Sequence, residues 1–72
     1  MTPQTGDIWR YHNPNLPYWD DSVVLLHKLL RDAPGDFTRQ HEIIFWAYDF
    51  LSDSYDEFIF TASNMEHWEK LA

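Results

Sequence analysis

Two runs dense in β-branched and aromatic residues, Ile43-Ile44-Phe45-Trp46-Ala47-Tyr48-Asp49-Phe50 and Phe58-Ile59-Phe60, flank the polar stretch Leu51-Ser52-Asp53-Ser54-Tyr55-Asp56. Such residues suit a pleated, half-buried surface, and the segment between them has loop chemistry, so the whole reads as a β-hairpin. The hairpin constrains the rest of the chain. In a protein of 72 residues it makes a small all-β barrel the architecture to test.

A chain of this length forms one domain and buries only about 60% of the surface its unfolded state exposes. Small scaffolds usually need a disulfide, a metal or an oligomer as a staple. Cysteine is absent, which excludes disulfides and thiolate zinc sites. The stabilising resource is therefore aromatic: four Trp, four Tyr and five Phe, each able to remove about 150–250 Å² from water when buried.

The formal net charge is −7, from twelve acidic and five basic residues. Phosphate backbones and anionic membranes call for clustered Lys and Arg, and here the five are scattered, so neither nucleic acid nor membrane is expected as a partner. The start of the chain has no basic region followed by an apolar core, and no apolar run is long enough to span a bilayer. A cytoplasmic protein without redox chemistry is expected.

Residues 1–5 are expected to be flexible. Ile8 to His12 reads as a first strand with Trp9 and Tyr11 on one face. Asn13-Pro14-Asn15-Leu16-Pro17 stops it, because neither proline can donate to a ladder. Asp20 to Pro34 admits two readings. Asp20-Asp21-Ser22 could cap a helix ended by Pro34-Gly35, but Val23 to Leu30 is apolar on nearly every side, as in a strand buried on both faces. The strand is preferred. In the third strand Ile44, Trp46, Tyr48 and Phe50 share one face and Ile43, Phe45, Ala47 and Asp49 the other. Ser63 to Leu71 reads as a capped helical turn with Met65, Trp68 and Leu71 on one stripe, plugging the barrel.

The opening Gly6-Asp7-Ile8-Trp9-Arg10-Tyr11, the Leu-Leu second strand, the aromatic third strand, the Phe58-x-Phe60 core and the closing His67-Trp68-Glu69-Lys70-Leu71 resemble small SH3-like barrel proteins. These occur as short uncharacterised reading frames in tailed bacteriophages and bacteria. The resemblance spans Gly6 to Leu71 and implies a single five-stranded SH3-like barrel over residues 1–72, ending in a short helical turn. It also implies an interaction module rather than a catalyst. One departure stands out: comparable sequences often have a Thr-Gly turn in the third hairpin, whereas this chain has Ser52-Asp53-Ser54. The expected core is Ile8, Trp9, Val24, Leu26, Ile44, Trp46, Phe58, Phe60, Trp68 and Leu71.

No catalytic constellation emerges. His12, His27, His41 and His67 stand at no metal-ligand spacing from one another, no serine lies in a nucleophile elbow, and the Asp49–Glu57 oxygens lack the glycine and spacing of a calcium loop. No enzyme activity, metal or cofactor is expected. Three binding readings follow. Tyr18, Trp19, Tyr48 and Tyr55, rimmed by Asp20, Asp21, Asp53, Asp56 and Glu57, could form an aromatic groove for a basic or proline-containing protein segment. In a phage-encoded protein the partner would belong to the host. The acidic surface could instead imitate DNA and occupy a nucleic-acid-binding protein, or the domain could be an assembly piece, a homo-oligomer paired through a strand edge.

Overall fold

The computed structural model describes residues 2–15 and 22–72. They form five antiparallel strands: β1 (Ile8–Tyr11), β2 (Ser22–Ala33), β3 (Glu42–Asp49), β4 (Ser54–Thr61) and β5 (Trp68–Lys70). Among the described residues one 3-10 turn, Met65–His67, precedes β5. The chain is all-β, and Val23–Leu30 belongs to a strand, as preferred over the helix. All strands lie in one sheet of order β4-β3-β2-β1-β5. No ladder joins the two edge strands, so the sheet is open, and β4 and β5 meet through side chains: Trp68 stacks on Phe60 at 4.3 Å and meets Phe58 edge-on at 6.3 Å.

Those contacts fold the inner face of the sheet around a core of Trp9, Val24, Leu26, Ile43, Phe45, Ala47, Phe58, Phe60 and Trp68. Phe60 is its hub, touching Trp9 (5.3 Å) and Phe45 (6.0 Å) edge to face as well as Trp68. Edge-to-face pairs add about 0.5–1.5 kcal/mol each beyond the area they bury. Asp7 ties the two ends of the chain together: its carboxylate accepts from the Gln4 amide (2.9 Å) and Trp9 Nε1 (3.2 Å) and lies 3.7 Å from Lys70 Nζ. Gly6, with φ of 95°, makes the preceding turn possible.

Four members of the expected core are placed differently. Ile8 and Ile44 are only half-buried, Trp46 is 37% exposed, and Leu71 is 48% exposed. The reason in β3 is register. A four-residue loop, Phe50 to Asp53, joins Asp49 to Ser54, so every pair across the hairpin matches an odd with an even position. Phe58 and Phe60 point inward and stand opposite Phe45 and Ile43, which therefore also point inward. Trp46 and Ile44 turn outward, opposite Glu57 and Ile59. Changing the parity by one residue exchanges the whole face.

Leu71 misses the core because the helical stripe is not formed. The turn ends at His67, and Trp68 enters the core from an extended strand paired with Tyr11, leaving Leu71 beyond its end. Nor is β2 buried on both faces. Its first half, up to Leu26, lies between β1 and β3, but the second half pairs with β3 alone, and bulges at His27 and Leu30 shift the register. Leu29 and Leu30 are 46% and 43% exposed. A bulge bends its strand and redirects the side chains that follow.

Candidate protein-binding face

The register that buries Phe45 leaves three cross-strand rows on the outer face of the sheet. Leu25, Tyr48 and Tyr55 form the row nearest the β3–β4 loop, Lys28, Trp46 and Glu57 the next, and Arg31, Ile44 and Ile59 the third. Cross-strand neighbours on one face lie about 4.5–5.5 Å apart at Cβ, so large rings in adjacent rows must touch. They do. Tyr55 lies parallel to Trp46 at 6.0 Å, meets Tyr48 edge-on at 5.4 Å and receives His27 at 5.7 Å, while Tyr48 meets Phe50 at 5.0 Å. Tyr55 is 49% exposed and Phe50 51%, so the rings form a continuous accessible surface.

The loop is fixed by its own carboxylates. Asp49 Oδ1 accepts from the Leu51 amide at 2.9 Å, and the Ser52 and Ser54 hydroxyls are 2.7 Å apart. Asp53 has φ of 53° and occupies the left-handed position where a glycine is usual. Asp tolerates that conformation better than most residues, which is how the turn forms without glycine. The Tyr48 hydroxyl donates to the Asp53 carboxylate, and this bond, reinforced by desolvation and by the charges of Asp53, Tyr55 and Asp49, holds the phenol above its ordinary ionisation range.

Of the residues singled out from sequence, Tyr48, Tyr55, Asp53 and Glu57 come together here. Asp56 does not join them: it stands opposite the inward-facing Ala47 and accepts from the Glu57 amide at 2.8 Å. Tyr18, Trp19, Asp20 and Asp21 lie outside the described residues. Sequence reasoning missed Trp46, Phe50 and His27. The strand period already linked Trp46 to Tyr48; assigning that set to the core hid it.

Asn64 covers the C-terminal part of the β4 edge. Its side chain accepts from the Thr61 amide at 2.8 Å and donates to the Ile59 carbonyl at 3.0 Å. Elsewhere, a hollow of about 210 Å³ opens between Pro3, Ile43, Phe60 and Met65. The titratable side chain lining it, His41, is bonded to Asp32. No helix among the described residues is long and apolar enough to cross a membrane. In comparisons with known proteins, no family model, curated protein or solved structure matches this chain.

Proposed function

We propose that this chain is a non-enzymatic protein-interaction module that engages a protein segment through the ring surface and acidic rim of its outer sheet face. The observation that carries this reading is the contact network of Trp46, Tyr48, Phe50 and Tyr55 on the face opposite the core. A domain with so few large side chains to spare leaves several in water, and exposed ring clusters rimmed by polar groups are typical of binding surfaces. The strand order, with β1 between β2 and β5, supports the finer reading as an SH3-like barrel, a fold used mostly for binding. If the resemblance to phage-encoded barrels holds, the partner is a host protein. Pairing through the β4 edge has less support, because Asn64 and Asp56 already bond to backbone groups of that strand.

The test compares proteins cross-linked to the parent chain and to the Trp46→Ser/Tyr55→Ser double variant, with each candidate re-examined as a purified protein. A partner bound by the parent and lost by the folded variant supports the reading. Equal binding to both would remove it.

A further inference from the structure

The outer face is electrically lopsided. Between Arg39 and Lys70 the sequence contains seven carboxylates and no Lys or Arg. On this face the hairpin bearing Trp46, Tyr48 and Tyr55 supplies only negative charge, from Asp53 in the loop, Glu57 on β4 and Glu42 at the far end of β3; Asp49 and Asp56 stand at inward-facing register positions. The nearest cations on this face, Lys28 and Arg31, lie on β2, opposite Trp46 and Ile44. Charge thus runs from acidic at the loop and β4 to basic at β2, with Tyr55 on the acidic strand and Trp46 between Lys28 and Glu57.

Resting on the protein-binding reading above, we infer that the occupant of this face is an extended, arginine-bearing segment of a partner protein, its guanidinium seated over Tyr55 and Trp46 beside Glu57. Three properties of the site select that group. Its faces are aromatic and accessible, and a cation over Trp or Tyr is attracted by the ring quadrupole. Glu57 stands in the same row as Trp46, within reach of a cation placed on the ring. The two rings are stacked 11° from parallel, so the accessible faces offered to a planar group share one orientation. Arginine meets all three, because its guanidinium stacks on rings and grips a carboxylate through two parallel N–H groups. Lysine is a compact, strongly hydrated point charge and meets only the charge requirement. The Lys28 and Arg31 side of the face repels a second cation, so the arginine sits toward the loop.

The experiment uses the full chain and three synthetic peptides: alternating Gly-Arg, alternating Gly-Lys, and an uncharged Pro-Gly control. Binding is followed by amide and indole proton–nitrogen spectra at several salt concentrations. The Arg peptide should shift the Trp46 indole and the Tyr48, Tyr55 and Glu57 amides and bind about three- to tenfold more tightly than the Lys peptide. Tyr55→Ser should weaken Arg-peptide binding about tenfold, and Glu57→Gln, which leaves every apolar contact in place, should weaken it severalfold and reduce its salt dependence. Equal Arg and Lys affinities, with shifts spread to Glu66 and Glu69, would overturn the inference by showing diffuse attraction to the net charge. Shifts at Trp46 and Tyr55 with the Pro-Gly peptide alone would overturn it too, while leaving the protein-binding reading intact. If no peptide moved these residues and the double variant retained its partners, both would fall.

Discussion

Trp9 and Trp68 are both buried in the same core, at 2% and 8% exposure, yet their indole N–H groups have opposite fates. Trp9 Nε1 donates to Asp7 at 3.2 Å, whereas Trp68 Nε1 is buried without a partner among the described residues. Replacing each by Phe separates ring size from the fate of the N–H. The smaller ring loses on the order of 40 Å² of buried apolar surface, about 1 kcal/mol, with a similar amount if the space stays empty. Trp9→Phe also forfeits a hydrogen bond worth about 1 kcal/mol, giving a loss of about 2–3 kcal/mol. Trp68→Phe removes an unsatisfied donor whose burial costs about 1–3 kcal/mol, which offsets the smaller ring and leaves stability within about 1 kcal/mol of the parent. In a domain this small, 1 kcal/mol moves Tm by about 4–8 °C. Thermal and urea unfolding followed by far-UV circular dichroism, which does not depend on the replaced fluorophores, should therefore show a large drop for Trp9→Phe and little change for Trp68→Phe. Trp68→Ala should still lose about 3–5 kcal/mol, because the whole plug is removed. If Trp68→Phe fell as far as Trp9→Phe, the idea of an orphaned donor in the core would be refuted.

Neighbouring β3 residues should respond oppositely to truncation: Phe45→Ala should cost about 3–5 kcal/mol and Trp46→Ala much less, as read by urea midpoints. Desolvation raises the Asp7 carboxyl, but its bonds to Gln4 and Trp9 and the charge of Lys70 outweigh it and hold the carboxyl below its ordinary value of 3.8. Its contribution is therefore complete above that value and is lost as pH falls through the lower folded value, so Asp7→Asn should flatten the acid limb of the stability–pH curve. The Tyr48 phenol is raised above 10.0, so the Tyr48–Asp53 bond contributes fully below that pH and is lost as pH rises through the folded value. Phenolate absorbance should show one tyrosine ionising late, and Asp53→Ala should shorten that lag, leaving the part due to desolvation and to the charges of Tyr55 and Asp49. Asp53→Asn, which tolerates the left-handed backbone, should be less destabilising than Asp53→Ala, which is expected to cost about 1 kcal/mol.

The hairpin, the extended Val23–Leu30 segment and the burial of Trp68 were legible because period-two patterning and turn chemistry are local properties. The two faces of β3 were also legible as sets, Ile44-Trp46-Tyr48 against Ile43-Phe45-Ala47. Which set faces inward was not, because both are apolar and the choice rests on the parity of a loop without glycine. The four-residue length of the loop sets that parity, with Asp53 in the left-handed position, and hydrophobic patterning does not reveal where the strands end. The fates of Leu29 and Leu30 were hidden for a different reason: β1 reaches only halfway along β2, and a missing neighbour leaves no mark in the strand that lacks it. The candidate site inherited the β3 error: the sequence reading grouped Tyr48, Tyr55, Asp53 and Glu57, which share the outer face or its loop, and left out Trp46, which lies among them.

Asn64 stands where a sixth strand would begin, with a donor facing the Ile59 carbonyl and an acceptor facing the Thr61 amide. Slow hydrolysis of that one amide to a carboxylate would set two acceptors against each other and free the Ile59 carbonyl. Chemical ageing would thereby unmask an adhesive border, so the protection of this edge is tied to a single side-chain nitrogen.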